Sequence, residues 1–189
     1  VLLGDLFEGH GGRPLHEMLP AMRRLSAPLG VWAVNGNHEY HRPNKTASLL
    51  WDAGIELLQN RWVEIGPGLV LAGVDHFTRS RLPAPKTDII AKILTNKPPA
   101  ATILLKHAPL QYEQATRAGV ELMLCGHTHG GQIWPFDYLV KLYYPLLEGR
   151  YEVDKMTAIV CRGTGTWGPR MRLLRPGEIL RVTLRAKTG

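Results

Sequence analysis

The chain has 189 residues, 44% of them hydrophobic and 21% charged. Those are the proportions of one ordinary globular domain with a sizeable core, not of a disordered chain. No apolar run approaches the ~18 residues of a membrane-spanning helix. No basic-then-apolar leader pattern is present either; the chain opens on Val1 inside an apolar run, so this says nothing of what a longer protein carries. A formal net charge of +7 favours phosphate-bearing partners. The Lys and Arg residues do not gather into a tract, and neither a recognition helix nor an aromatic-rich strand stands out, which disfavours a nucleic-acid-binding module.

In chain order, residues 1–4 read as a buried strand ending at Asp5. Residues 14–26 carry Leu15, Met18, Leu19, Met22 and Leu25 at helical spacing. A strand at 31–35 runs into a Gly-Asn-His loop, and 45–53 read as a helix stopped by Gly54. Short strands follow at 55–58, 62–65 and 69–74, then a helix at 86–94 and a strand at 101–106. A short helix at 112–118 precedes a strand at 121–125, and the tail reads as strands at 157–162 and 178–185. Alternating strands and helices followed by consecutive strands predict an α/β core with an antiparallel portion. Cys125 and Cys161 sit in apolar runs and read as buried free thiols, since two cysteines make no disulfide framework.

Four apolar runs each end in a polar residue that could bind a metal. They are L-L-G-D with Asp5, A-V-N-G-N-H-E with Asn37, His38 and Glu39, I-L-L-K-H-A-P with His107, and M-L-C-G-H-T-H-G-G with His127 and His129. Taken singly, Gly-Asp is a turn and a lone His at a strand end is a structural hydrogen-bonding residue. The two histidines of H-T-H are harder to dismiss, because alternate residues of a strand point to one side. Loops beyond the carboxyl ends of parallel strands converge on one crevice. Together the four segments would gather nitrogen and oxygen donors there, with no thiolate among them, which disfavours soft-metal and iron–sulfur chemistry.

This ordered set of G-D, G-N-H-E, a lone His and G-H-T-H resembles the calcineurin-like metallophosphoesterase family over nearly the whole chain. G-H-T-H-G-G-Q-I (126–133) and R-G-T-G-T-W-G-P (162–169) are similar to its bacterial branch of small phosphohydrolases, often membrane-associated or exported. The resemblance implies a four-layer α/β/β/α sandwich spanning 1–189. It also implies two divalent ions (Mn, Fe or Zn) and a metal-bridging hydroxide that attacks a phosphomonoester, phosphodiester or pyrophosphate. Asp5 would bridge both ions, with Asn37, His107 and His127 completing one site and His129 serving the other. His38 would stabilise developing charge or protonate the leaving oxygen, and Glu39 would orient it. Gly36 and Gly126, beside the ligands, would permit unusual backbone angles and close approach of substrate. The implied substrate is a phosphorylated small molecule or a lipid-linked one, with peripheral membrane association.

The family's first motif, D-x-H, finds no counterpart here, since only four residues precede Asp5. The expectation is therefore an N-terminally shortened domain without the first strand, an incomplete site at His129, and an anchor or export signal carried upstream. Asp75-His76 is spaced wrongly to replace D-x-H, and Glu8 stands where the pattern often has Asp. Arg162 and Arg170 are candidate phosphate contacts, and Trp134 and Trp167 candidate pocket walls; His10 and His41 lie near the motif loops. The rival expectation is a degenerate domain that binds metal or phosphate with impaired catalysis.

Overall fold

The computed structural model describes residues 1–7, 15–41, 43–75 and 88–185. Its elements are α1 (Leu15–Met22), β1 (Val31–Ala33), α2 (Pro43–Asp52), β2 (Ile55–Leu57), β3 (Arg61–Gly66), β4 (Leu69–Val74), α3 (Ile89–Ile93), β5 (Ala101–Lys106), α4 (Tyr112–Arg117), β6 (Leu122–Cys125), α5 (Asp137–Tyr143), β7 (Gly149–Val153) and β8 (Met156–Val160). Single 3-10 turns occupy Glu39–His41 and His129–Gly131.

Six strands form one sheet in the order β3-β4-β5-β6-β8-β7. Its four central strands are parallel, and β3 and β7 close the edges antiparallel. Strands covered on both faces read as continuous apolar runs, as L-V-L-A-G-V of β4 and I-L-L of β5 do. A second, two-stranded parallel sheet pairs β1 with β2, and Leu2 adds a single parallel bridge to Ala33.

Strand periodicity sorts these side chains into layers. On one face of the large sheet Ala72, Leu104, Met123 and Ala158 pack with Ile90 and Leu94 at α3 and Ala115 of α4. On its other face Leu71, Ile103, Leu105 and Leu122 meet Val34 and Leu58, the residues that follow β1 and β2 of the small sheet. The outer face of the small sheet, with Ala33 and Ile55, packs on Met22, Leu49 and Leu50 of α1 and α2. Helix, sheet, sheet and helix thus stack in four layers, as the family resemblance implied. Asp88 caps α3 by accepting from the amides of Ile90 and Ala91 at 3.1 and 3.0 Å.

The strands expected at 69–74 and 101–106 form with those bounds. Three expectations fail. The helix expected to reach Ser26 stops at Met22, and Leu25 is exposed, its apolar face having left the core. Residues 1–4 make one bridge rather than a strand. The strand expected at 178–185 does not form: alternation is present, but no described strand runs alongside to take its backbone hydrogen bonds, and Ile179 is 86% exposed. Conversely, β7 and α5 had no counterpart in the sequence reading.

Candidate metal centre

Parallel pairing of β5 and β6 sets the next residues of both strands side by side. The amide of Gly126 donates to the carbonyl of His107 at 2.8 Å, and His127 follows. From the small sheet, the segment after Leu2 delivers Asp5, and the loop after β1 delivers Asn37. His107 is 1% exposed, and its Nδ1 lies 2.6 Å from the carbonyl oxygen of Leu3, which ties the two sheets together at the site. A carbonyl only accepts, so Nδ1 carries the proton and donates.

Nε2 of the same ring faces inward. It lies 3.1 Å from Asp5 Oδ2, 3.2 Å from Asn37 Oδ1 and 2.9 Å from His127 Nδ1. A second proton at Nε2 would serve one of these three neighbours; a divalent cation at their centre serves all of them. The far nitrogen of His127, Nε2, is 2.8 Å from the phenol oxygen of Tyr144, just past α5. When His127 donates there, its Nδ1 turns a lone pair into the cluster. Asp5, His107 and His127 each offer a ligand atom within 4.8 Å of the others. Two imidazoles, a carboxylate and an amide oxygen form a mixed N/O set of the kind that could hold a divalent ion.

Glu39 fixes the loops that carry these donors. Its buried carboxylate accepts from the amides of Asp5 and Leu6, both at 2.8 Å, and of Gly36 at 2.7 Å. The amide of His38 donates to Asp5 Oδ1 at 2.9 Å. Burial pushes the Asp5 carboxyl up, but the hydrogen bond and charge of His107, together with His38, outweigh it and hold the carboxyl at about 2. Asp5 is thus ionised, as a ligand must be. Glu39 was expected to orient His38; in the structure it organises the backbone on which both Asp5 and His38 stand.

His129 is not part of this donor group. Its Nδ1 lies 3.2 Å from the Arg172 guanidinium, and burial followed by the Arg172 charge lowers its pKa. Arg172 also donates to the carbonyls of His129 (3.2 Å), Arg162 (2.9 Å), Gly163 (3.3 Å) and Arg175 (3.2 Å), and to Gly165. This cage folds the C-terminal segment onto the H-T-H loop.

The expected unusual backbone angles fall on the candidate residues themselves: Asp5 and His127 of the donor group have φ of 53° and 71°, and His129, outside it, has 52°. Gly36 and Gly126 do not. Gly36 is needed for space, because a Cβ there would overlap the Asp5 carboxylate and lie 2.6 Å from its amide nitrogen. At Gly126 the nearest atom is 3.8 Å away, so the site does not require that glycine for room.

Among the other candidates, Arg162 is engaged by carboxylates, 2.7 Å from Glu178 and 3.6 Å from Glu148, and so is not placed to meet phosphate. Trp134 and Trp167 are exposed, and Gln132 joins their two loops, bonding the Trp167 amide and carbonyl at 2.6 Å each. Asp75 accepts from the Asn35 side chain at 3.1 Å. Glu8, His10 and His76 lie outside the described residues. Tyr144 and Arg172 were missed by sequence reasoning; nothing in their local pattern marks them.

Among known proteins, the calcineurin-like phosphoesterase family matches residues 1–131. An uncharacterised metallophosphoesterase of Aquifex aeolicus is 36% identical over 99% of this chain and 72% of its own length. One from Helicobacter pylori is 39% identical over 99% of this chain and 51% of its own. A bovine transmembrane protein with a metallophosphoesterase domain is 32% identical over 98% of this chain and 45% of its own. The chain therefore spans about half the length of the latter two relatives. With a family match over more than two thirds of its residues, the chain belongs to the calcineurin-like phosphoesterases.

Proposed function

We propose that this chain hydrolyses a phosphoester through the donor group of Asp5, Asn37, His107 and His127. The family is one of metal-dependent phosphoester hydrolases in general; the residue roles and the substrate class are the proposal. The observation that carries it is the convergence of a carboxylate, an amide oxygen and a second imidazole on Nε2 of His107. Such a set repels itself when empty of both proton and cation, and is satisfied by a divalent ion.

When bound, divalent ions acidify a water and neutralise phosphoryl oxygens. The chain's own residues do the rest. Asp5, held ionised by its neighbours, supplies negative charge at the centre. His107 is locked by Leu3 and His127 by Tyr144, so their inward nitrogens cannot rotate away. His38 stands on the amide that grips Asp5, where its imidazole can hold a proton for the departing oxygen. A small phosphorylated molecule or a lipid-linked phosphoester is the proposed substrate.

A second reading, a metal- or phosphate-binding domain with impaired catalysis, is favoured by one observation. His129 is held by Arg172 instead of joining the donor group.

The test is to saturate the chain with manganese, desalt it, count metal by elemental mass spectrometry, and assay bis-p-nitrophenyl phosphate hydrolysis. Metal retention lost in His107→Ala, with turnover in the wild type, supports the hydrolase. Retention without turnover selects the second reading. A wild type that retains no metal refutes the hydrolase and the metal-binding form of the second reading. Turnover depressed in His38→Gln with metal still bound supports the proton role of His38.

A further inference from the structure

Helix α5 is built inside out. A helix on a water-soluble surface turns its apolar face to the core and its charges to solvent. Here Asp137 is buried and bound to Arg175, whereas Leu139, Leu142 and Tyr143 face outward, Leu142 at 84% exposure. The residues leading into the helix continue the pattern, with Trp134 and Phe136 exposed. A second loop adjoins them: Leu173 exchanges backbone hydrogen bonds with Gln132 and Trp134, at 3.0 and 3.1 Å, and this loop exposes Trp167. Single exposed apolar residues need no explanation, but a helix and loop that share an outward apolar surface do.

The charges identify the occupant. Across 134–144 and 167–175, Arg172 sits among its carbonyls and Arg175 is paired with Asp137 and Glu148, so the bases that face outward are Lys141 and Arg170, and the single acid of these segments, Asp137, is buried. Lys141 and Arg170 are at the surface. Tryptophan and tyrosine beside leucine, with a basic and acid-poor rim, is the composition that settles at a bilayer interface. A second copy of this chain would set the same basic rims against each other. No described helix is long and apolar enough to cross a membrane, so the geometry is that of a surface lying on a bilayer.

We propose that α5 and the two loops beside it dock the chain onto an anionic lipid bilayer. Tyr144, at the end of α5, touches His127, so docking sets the donor group beside the headgroup region. The contact itself requires no hydrolysis, and its test is separate from that of the activity.

The experiment is sedimentation of the 189-residue chain with vesicles of phosphatidylglycerol and phosphatidylcholine in equal parts, and with phosphatidylcholine alone. The wild type should pellet with the anionic vesicles, less so in added salt, with a blue shift in tryptophan emission. Leu139→Glu/Leu142→Glu should weaken partitioning roughly tenfold or more while keeping the wild-type circular dichroism and melting curve. The milder Leu142→Gln, at a side chain already in solvent, covers the case in which the double variant misfolds. A wild type that ignores both vesicle types overturns the proposal, as does equal partitioning of wild type and folded variants. Self-association in sedimentation velocity, abolished by the same substitutions, also overturns it and assigns the surface to a second copy.

Discussion

Nδ1 of His127 lies 2.9 Å from Nε2 of His107, and each ring is held from behind, one by the Tyr144 phenol and the other by the Leu3 carbonyl. Neither imidazole can turn without giving up its outer hydrogen bond. The pair is thus a fixed jaw whose spacing is set by β5 and β6.

Tyr144→Phe removes one outer hydrogen bond and leaves packing almost unchanged. Manganese affinity by isothermal titration should fall about 10–100-fold, the usual effect of losing a partner behind a ligating histidine. Unchanged affinity would show that Tyr144 does not orient His127.

Glu39 gathers three backbone amides on one buried carboxylate. Glu39→Ala leaves those donors without an acceptor and should cost about 2–4 kcal/mol in urea unfolding. Glu39→Gln keeps an acceptor oxygen and should cost less. An unaltered midpoint in both would mean that water replaces the carboxylate at no loss.

Gly36→Ala and Gly126→Ala form a matched pair. The first forces a methyl onto Asp5, whose backbone cannot yield, and should cost about 1–3 kcal/mol together with metal retention. The second meets ordinary van der Waals space and should stay within about 0.5 kcal/mol. Equal effects would contradict the close approach of Gly36 to Asp5.

Burial raises the Asp75 carboxyl, only partly offset by the Asn35 hydrogen bond. A carboxyl with a raised folded pKa binds more protons folded than unfolded. Its contribution to stability therefore falls as pH rises from the ordinary carboxylate range through the raised value. Asp75→Asn removes that penalty, so its melting temperature should exceed the wild type's at neutral pH and match it near about pH 3. A gap that is the same at both pH values would refute the assignment.

The positions of Asn37, His107 and His127 were legible because strand burial is written residue by residue, whereas Asp5 follows a single bridge at Leu2. An apolar run such as I-L-L-K ending in a histidine marks both the strand and where its next side chain emerges. The layering came from the family resemblance, since periodicity by itself pointed only to an α/β core with an antiparallel portion. Tyr144 was not legible, since its partner lies 17 residues away and neither residue's neighbours announce the pairing. The segment 178–185 misled for the opposite reason: alternation records what a strand could bury, whereas a strand also needs a neighbour's hydrogen-bonding edge. Helix α5 escaped notice because its apolar face points outward, so it answers to a surface the chain does not contain.

The cage around Arg172 has a consequence for how this sequence can drift. Its acceptors include carbonyl oxygens of His129, Arg162, Gly163, Gly165 and Arg175, groups that every amino acid supplies alike. Substitutions at those five positions leave the acceptors in place as long as the chain path holds. This part of the instruction that folds the tail over the H-T-H loop, beside the ties made by Gln132 and Arg175, therefore rests on one codon. Lysine there, with a single ammonium group, could not reach five oxygens spread across three stretches of backbone.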